Sequence, residues 1–555
     1  MKSISPAVRA IIEIHMQTLL HWFSEEIYRR ILRRGESHFL VRLARHLDCR
    51  PLEEVCAGYH HRSGPGAPVI HAVPRLVRAL LVKYLLNLSL RQLEEAIRWN
   101  LLVKWFVGYA LFEAGPDHTT LERFELWVYS HHPRAIFDRV LNQIEEDFPD
   151  ERDKAQMGDT YAMHANAAGE SLTHLLRHTC QRLLTALGEA TSTGLAEVKS
   201  QLEQEALFGR KDETKEYRLD PEQKQKRLDK TVIAVIRCRE LVQASLNTEG
   251  ERVEEKEQVV RAWLTILDKI LADELTITRD ENGQVIQVKQ LPKAQKGSFR
   301  IASASDPDAT YRVHGDDIAL GYNVSVAATD TFIYEIQADT GSQHDATAIP
   351  ALLRSKKEHH DLTPAKFIYD MAAGTGKSHA AVAAVSHGRT QLVAPLVDYS
   401  QRSQRFGPDD FTLTPDGHSL TCPNGQVSSL AYRSHTSDGR LFRFTPDQCH
   451  DCPLTQACRG DKLPPNQLRR IFISDYRSAL DNARTYAQTP EFQQDLKQRA
   501  GIERIIANLV CFHDFRHARR RGLSSSDFQA KMNATAFNIR QWLRLLERPA
   551  SQTAT

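Results

Sequence analysis

The chain has 555 residues, 41% of them hydrophobic, which is enough for roughly two to four domains with proper cores. Its 72 Lys and Arg nearly balance 70 Asp and Glu, so a formal net charge of +2 marks neither a polybasic nucleic-acid binder nor an acidic tail protein. No run of about 18 apolar residues occurs, and the start MKSISPAVRAIIEIHMQ lacks the segments of a signal peptide, which predicts a cytoplasmic protein with no membrane partner.

In chain order, residues 1–150 carry helical periodicity almost throughout, as in PRLVRALLVKYLLNL (74–88), and predict an all-helical first domain. Ser89 with Gln92 three residues on reads as a capping box, and GPDHTTLERFELWV (115–128) as a helix start after Pro116. Short consecutive helices of this kind suit a helix-turn-helix, although ordinary helical packing gives the same pattern.

Residues 171–275 are helix-rich and heavily charged, predicting a long helical hairpin inserted in the second domain. Strand character begins near 275. ELTITRDENGQVIQVKQL alternates on both sides of Asn282-Gly283, a strong hairpin signal, and GYNVSVAATDTFIYEIQAD reads as two more strands, opening on the triplet Gly321 to Asn323. A helix (345–360), a strand (AKFIYD), a helix (SHAAVAAVSHG) and a strand (TQLVAP) follow. Hairpins followed by βαβ predict a mixed α/β sheet flanked by helices, within a domain spanning 151–548. Pro, Gly, Ser and Cys interrupt it at about 400–465, helices return from about 475 to 547, and 549–555 read as a disordered tail.

Of nine cysteines, five are scattered, which argues against a disulfide framework. Cys422, Cys449, Cys452 and Cys458 instead follow C-x26-C-x2-C-x5-C in a loop-like segment, a donor set suited to structural Zn²⁺; free thiols or an iron–sulfur cluster are the alternatives.

Within the stretch YDMAAGTGKSHAAVAA (369–384), Gly374, Gly376, Lys377 and Ser378 look like a phosphate-binding loop, but Met371 replaces the first glycine of the signature. An ATPase also needs a metal-binding Asp after a second hydrophobic strand, and IFISD (471–475) is a poor candidate. Asp370, just before the loop, is equally placed to end a strand as a metal-binding carboxylate. Asp159 in KAQMGDTYAMHANA and Glu503 in RAGIERIIANLV, with Arg499 one turn earlier, complete a possible set of three.

With these residues in this order, the chain resembles the DDE-type transposases of bacterial insertion sequences, in the branch with an N-terminal helical domain and a cysteine-bearing insertion. The resemblance runs through RLVRALLVKYLLNLSLRQLEEAIRWNLLVKWFVG, PDHTTLERF, GDTYAMHANA, DPDATYRVHGDDIALGYNVSVAATD, FIYDMAAGTGKS, the cysteines, IERIIANLVCFHDFRHARRRGL and ATAFNIRQWL. One departure is Leu496, which stands where related patterns carry a Tyr before the Arg.

The resemblance implies an RNase H-like core with Asp159 on its first strand, Asp370 at the end of its fourth and Glu503 on a later helix. These three would bind Mg²⁺ (or Mn²⁺) for cleavage at transposon ends and strand transfer of the 3′-hydroxyl into target DNA. It further implies double-stranded DNA as partner, a homodimer on DNA, a nucleoid-associated location, and DNA contacts from Arg499, Arg516, Arg519, Arg520, Arg521 and Lys377. The alternatives are a P-loop ATPase acting on DNA and an inactive relative that only binds DNA.

Overall fold

The computed structural model describes residues 6–60, 69–247, 254–297, 299–314, 317–396, 405–460 and 467–547. The tail expected at 549–555 lies outside them. Eight helices come first: α1 (Pro6–Arg34), α2 (Phe39–His46), α3 (Arg50–Val55), α4 (Val73–Leu85), α5 (Leu90–Trp99), α6 (Leu101–Val107), α7 (His118–His131) and α8 (Ala135–Asp147). The Ser89 hydroxyl accepts from the Gln92 N–H and the Gln92 side chain accepts from the Ser89 N–H, so α5 starts in a capping box. Asp117 caps α7 through the Thr120 N–H at 2.7 Å.

The central sheet contains β1 (Gln156–His164), β4 (Thr310–His314), β5 (Asp317–Ala328), β6 (Ile333–Thr340), β7 (Lys366–Ile368) and β8 (Gln391–Val393). Its order is β4-β5-β1-β7-β8, with β6 also paired to β5. Strand β5 is long enough to hold β4 against its first half and β6 against its second, while β1 runs antiparallel to β5 and parallel to β7. Helices α14 (Ile349–His360) and α15 (Gly376–Ser386) make the crossovers to β7 and β8. The Gly-Tyr-Asn triplet lies inside β5 rather than opening it. A Cβ on Gly321 would stand 2.0 Å from the Met163 carbonyl oxygen, so the glycine is required by the close approach of β1.

Between β1 and β4 come α9 (Leu172–Ala190), α10 (Ser192–Ser200), α11 (Gln204–Phe208), α12 (Pro221–Asn247), α13 (Glu254–Glu274) and the hairpin β2 (Leu275–Arg279) with β3 (Val285–Gln290). The hairpin expected as the start of the mixed sheet is instead a separate two-stranded ribbon. Leu275, Val288, Ile301 and Ala304 are buried with the apolar faces of α9, α12 and α13, so the inserted unit extends past 275 to about 304.

After β8 come β9 (Thr412–Leu413), β10 (Leu420–Thr421), β11 (Val427–Ser428), β12 (Ala431–Arg433), β13 (Gly439–Phe444), α16 (Pro446–Cys449), α17 (Thr455–Arg459) and β14 (Arg469–Ser474). They enclose a small core of Phe411, Leu420, Phe442, Phe444, Ile471 and Ile473, so this unit runs beyond the expected 465 because β14 pairs with β13.

The chain ends in α18 (Arg477–Ala487), α19 (Pro490–Gln498), α20 (Ala500–Phe512) and α21 (Leu523–Leu546). Helix α21 is buried almost throughout and its polar side chains serve the outer edge of β6. Asn538 accepts from the Ile333 N–H and donates to the Ile333 carbonyl, both at 2.8 Å; Lys531 donates to the Ile336 carbonyl and Asp527 accepts from the Ala338 N–H. An edge strand is thus closed by side chains of a helix instead of another strand. One continuous apolar core joins α2 to α8 with β1, β5, β6, α20 and α21, so the helical region rests on the sheet. Among the described residues no helix is long and apolar enough to cross a membrane.

Two outcomes follow from this packing. Asn538→Ala strands both backbone groups of Ile333 and should cost about 2–4 kcal/mol in urea unfolding, whereas a loss under about 0.5 kcal/mol would mean the edge is sealed otherwise. His513 is 2% exposed, and burial, then the charges of Arg540 and Arg519, hold its imidazole down at about 4. The unfolded chain therefore binds a proton that the folded one refuses, and stability present above about pH 6.5 falls as pH drops toward 4, by up to about 3 kcal/mol. His513→Leu should flatten the dependence of Tm on pH in that window; an unchanged slope would remove His513 as its cause.

Candidate active site

Met157 of β1 pairs with Ile368 of β7 in parallel register, so two residues on, Asp159 and Asp370 stand level at the C-terminal side of that pairing. Neighbouring strands lie about 4.8 Å apart, which makes these two carboxylates close neighbours. The residue before Asp159 must be glycine: a Cβ on Gly158 would stand 2.6 Å from the Phe367 ring and 2.9 Å from the Tyr369 ring. Asp370 caps the single turn that follows it, accepting from the Ala372 N–H at 3.0 Å.

Helix α20 brings Glu503 to the same place. Gly501 faces Met157, whose Sδ and Cε would lie 3.0 and 2.9 Å from an added Cβ, so the missing side chain lets the helix lie close on β1. The Arg499 guanidinium donates to Asp159 Oδ2 at 3.2 Å and to Glu503 Oε1 at 2.9 Å, joining two of the carboxylates. Asp159 is mostly buried and Glu503 is largely exposed. The oxygens of Asp159, Asp370 and Glu503 do not all fall within 4.8 Å of one another, since Arg499 bridges the first and last.

A fourth carboxylate belongs to this neighbourhood and sequence reading missed it. The Asp159 carboxyl is pushed up from its ordinary value by burial first; the Thr160 N–H and Arg499 pull it down, and the charges of Asp370 and Asp345 push it up again. Asp345 is tied down by Asn323 Nδ2 at 2.8 Å and by Arg312, which also donates to the Thr160 hydroxyl. Its one sequence signal was the Asn of the Gly-Tyr-Asn triplet, whose amide reaches it. The Tyr of that triplet is buried and donates to Asp306 at 2.6 Å. Excess negative charge in a half-buried place, with acceptor oxygens from within β1, from just past β7 and from a helix, is a donor set that fits hard divalent cations.

The glycine-rich loop is packed against its own chain. A Cβ on Gly374 would stand 1.9 Å from the Pro395 carbonyl oxygen, and one on Gly376 would stand 2.7 Å from that of Tyr476. These glycines therefore answer to close backbone approaches, and Gly374 packs on Pro395 rather than merely easing a turn beside the carboxylate. Thr375 accepts from the Ser378 N–H and meets its hydroxyl, so the serine of the motif serves a helix cap. Lys377 is exposed and paired with Asp438 at 2.9 Å. The candidate second ATPase strand, β14, lies in the three-stranded sheet with β12 and β13 and not beside β7. Packing thus accounts for the glycines and the serine, while the loop's open side lines a cavity with Asp438, Tyr476, Arg477 and Arg484.

Cys422, Cys449, Cys452 and Cys458 line one small cavity with Phe411 and Phe444, and none of them is joined in a disulfide. No three of their sulfurs lie within 4.8 Å of one another. The basic run is fastened to β1: His164 donates its N–H to the Arg516 carbonyl and accepts from the Ala518 N–H, both at 2.8 Å. Arg520 is bound to Glu122 and Glu125 of α7, and Arg519 bonds Asn87 and lies over the Tyr84 ring, so both hold the helical region to the sheet. Arg516 and Arg521 are exposed, the latter donating to the Asn166 carbonyl.

Residues 28–125 match the family model described as Transposase domain (DUF772), and residues 421–543 match the one described as Transposase DDE domain. In this order on one chain, the two matches bear out the resemblance to DDE-type insertion-sequence transposases, and both point to DNA transposition. The second match includes Glu503, the four cysteines and the basic run, while Asp159 and Asp370 precede it. No curated protein and no solved structure matches the chain.

The charge arrangement has a direct readout in the titration of Asp159 by carboxyl NMR. Arg499→Ala should move its pKa further up and Asp345→Asn should move it down, because the first removes a compensating charge and the second a repelling one. If neither variant moves it, the charges do not share one site.

Proposed function

We propose that this chain is a DNA transposase of the DDE type, which cuts phosphodiester bonds at transposon ends and joins the freed 3′-hydroxyl to target DNA. The observation that carries the reading is the register of β1 and β7, which sets Asp159 level with Asp370, together with Arg499, which ties Glu503 to Asp159. The sheet order supports an RNase H-like core: β6, β5, β1, β7 and β8 lie side by side, with β5 antiparallel to its neighbours and β1, β7 and β8 parallel.

In this mechanism Asp159, Asp370 and Glu503 are the residues that would hold Mg²⁺ or Mn²⁺. Bound there, divalent ions would supply activation of the attacking oxygen and stabilisation of the departing one. Arg499 neutralises Asp159 and Glu503 before substrate arrives and is then free to meet a DNA phosphate. Arg516 and Arg521, on the segment fastened to the end of β1, contact the backbone without reading sequence. Arg519 and Arg520 position the helical region, to which recognition of the transposon ends is assigned. Lys377 remains an ordinary basic contact.

The four cysteines share one cavity and would hold a structural Zn²⁺ by closing on it, since no three of their sulfurs yet lie within 4.8 Å of one another. Two chains acting on two transposon ends make a homodimer on DNA, working in the cytoplasm at the nucleoid.

Cleavage of double-stranded DNA carrying the element's own ends, with Mg²⁺ and without ATP, tests the reading. Asp370→Asn should lower the rate by at least roughly 10²-fold, and Lys377→Ala should keep most of it. A requirement for ATP and Lys377 would overturn the assignment in favour of a P-loop enzyme. DNA binding without cutting by the parent chain would mark an inactive relative.

A further inference from the structure

Away from the carboxylate site, where the chain leaves β1 for the inserted helices, Glu170, His174 and His178 each offer a ligand atom within 4.8 Å of the other two. Among the described residues they form the one group of three or more His, Cys, Asp or Glu side chains gathered this closely. We propose that this trio binds a divalent transition-metal ion, Zn²⁺ above all, as a structural clip at the root of the helical insertion.

The spacing explains the convergence. Residues four apart on a helix share a face, so His174 and His178 on the first turns of α9 present neighbouring rings, 5.8 Å between centroids. Glu170 stands one further step back along that line, just before the helix. Its Oε2 lies 3.0 Å from His174 Nδ1, and its Oε1 lies 3.1 Å from His178 Nδ1. A tetrahedral ion with bonds of about 2.0 Å separates its ligand atoms by about 3.3 Å, so the donors already stand near the edge length such an ion needs. Two imidazoles and one carboxylate leave a fourth position for water, so the clip is of the open three-ligand kind and not the closed four-ligand kind, and the set suits borderline Zn²⁺ better than Mg²⁺ or Ca²⁺, which prefer oxygen alone.

The carboxylate is held as a ligating carboxylate usually is. Glu170 Oε1 accepts from the Ser303 hydroxyl at 2.9 Å and the Ala304 N–H at 3.1 Å, while the Glu170 N–H donates to the Ala302 carbonyl. Residues 302–304 form the returning end of the insertion, so the ligands of the outgoing end are braced by the incoming one. His174 is 67% exposed and gives an ion an open approach, whereas Glu170 is 10% exposed and fixed. The N-terminal end of a helix is mildly unfavourable for a cation, and the Glu170 charge opposes that effect locally. Two hydrogen-bonded His–Glu pairs alone would satisfy Glu170; the metal reading adds that the same atoms form a preset three-point donor set.

The test is Zn²⁺ binding to the full chain in excess Mg²⁺, with metal content per chain and hydrogen exchange of peptides covering 170–178 and 302–304. The parent should hold about one Zn²⁺ more than His174→Ala/His178→Ala, and Zn²⁺ should slow exchange at both peptides in the parent only. Any zinc held by the cysteines is common to both proteins and cancels from the difference. Ser303→Ala, which leaves all three ligands in place, should weaken the extra site by roughly 10-fold or more. Equal metal content in parent and double variant, or Zn²⁺-dependent slowing that persists in the double variant, would overturn the proposal.

Discussion

Repulsion between carboxylates gathered at one end of the sheet is the constraint around which this molecule is arranged. Asp159 on β1 stands level with Asp370 just past the end of β7, Asp345 adds its charge, and burial limits the screening that water would give. The fold answers with cations from elsewhere in the chain: Arg499 between Asp159 and Glu503, and Arg312 on Asp345. Arg499 is 340 residues from Asp159 and Arg312 is 33 from Asp345, so these contacts exist only once α20 and β4 have docked. Gly501 is the small residue that lets α20 come close enough.

The same logic governs the sheet's periphery. A strand edge left open would expose backbone donors and acceptors, and α21 closes that of β6 with Asn538, Lys531 and Asp527. Because α21 also packs on the N-terminal helices, it joins the sheet to the region expected to meet transposon ends. The arginine run just before it contributes to that joint. Arg519 and Arg520 face α4 and α7, with Arg520 reaching the buried Lys83–Glu125 pair. A cluster that reads in sequence as one basic patch is divided by tertiary contacts into two residues that fasten and two that remain exposed.

The two inserted units have their own apolar clusters, separate from the main core. Each can therefore be carried on the sheet without adding residues to the layer that positions Asp159 and Asp370. At the root of the helical unit, a polar network around Glu170 joins its outgoing and returning ends.

By itself the sequence determined the helical character of the first 150 residues, the capping box at Ser89, the alternation of β7, α15 and β8, and the three carboxylates worth watching. Each of these rests on local periodicity, capping chemistry or a motif, and so is written within a dozen or so residues. It misled where a local signal is indifferent to its surroundings. The Asn282-Gly283 hairpin is real but belongs to the inserted unit, and the glycines of 374–376 serve close packing against Pro395 and Tyr476. What only the tertiary structure decided is which charges meet: Arg499 with Asp159, Arg312 with Asp345, Arg520 with Glu125. Those pairs are separated by up to several hundred residues, and their meeting is fixed by strand register and helix docking, which no short stretch of sequence encodes.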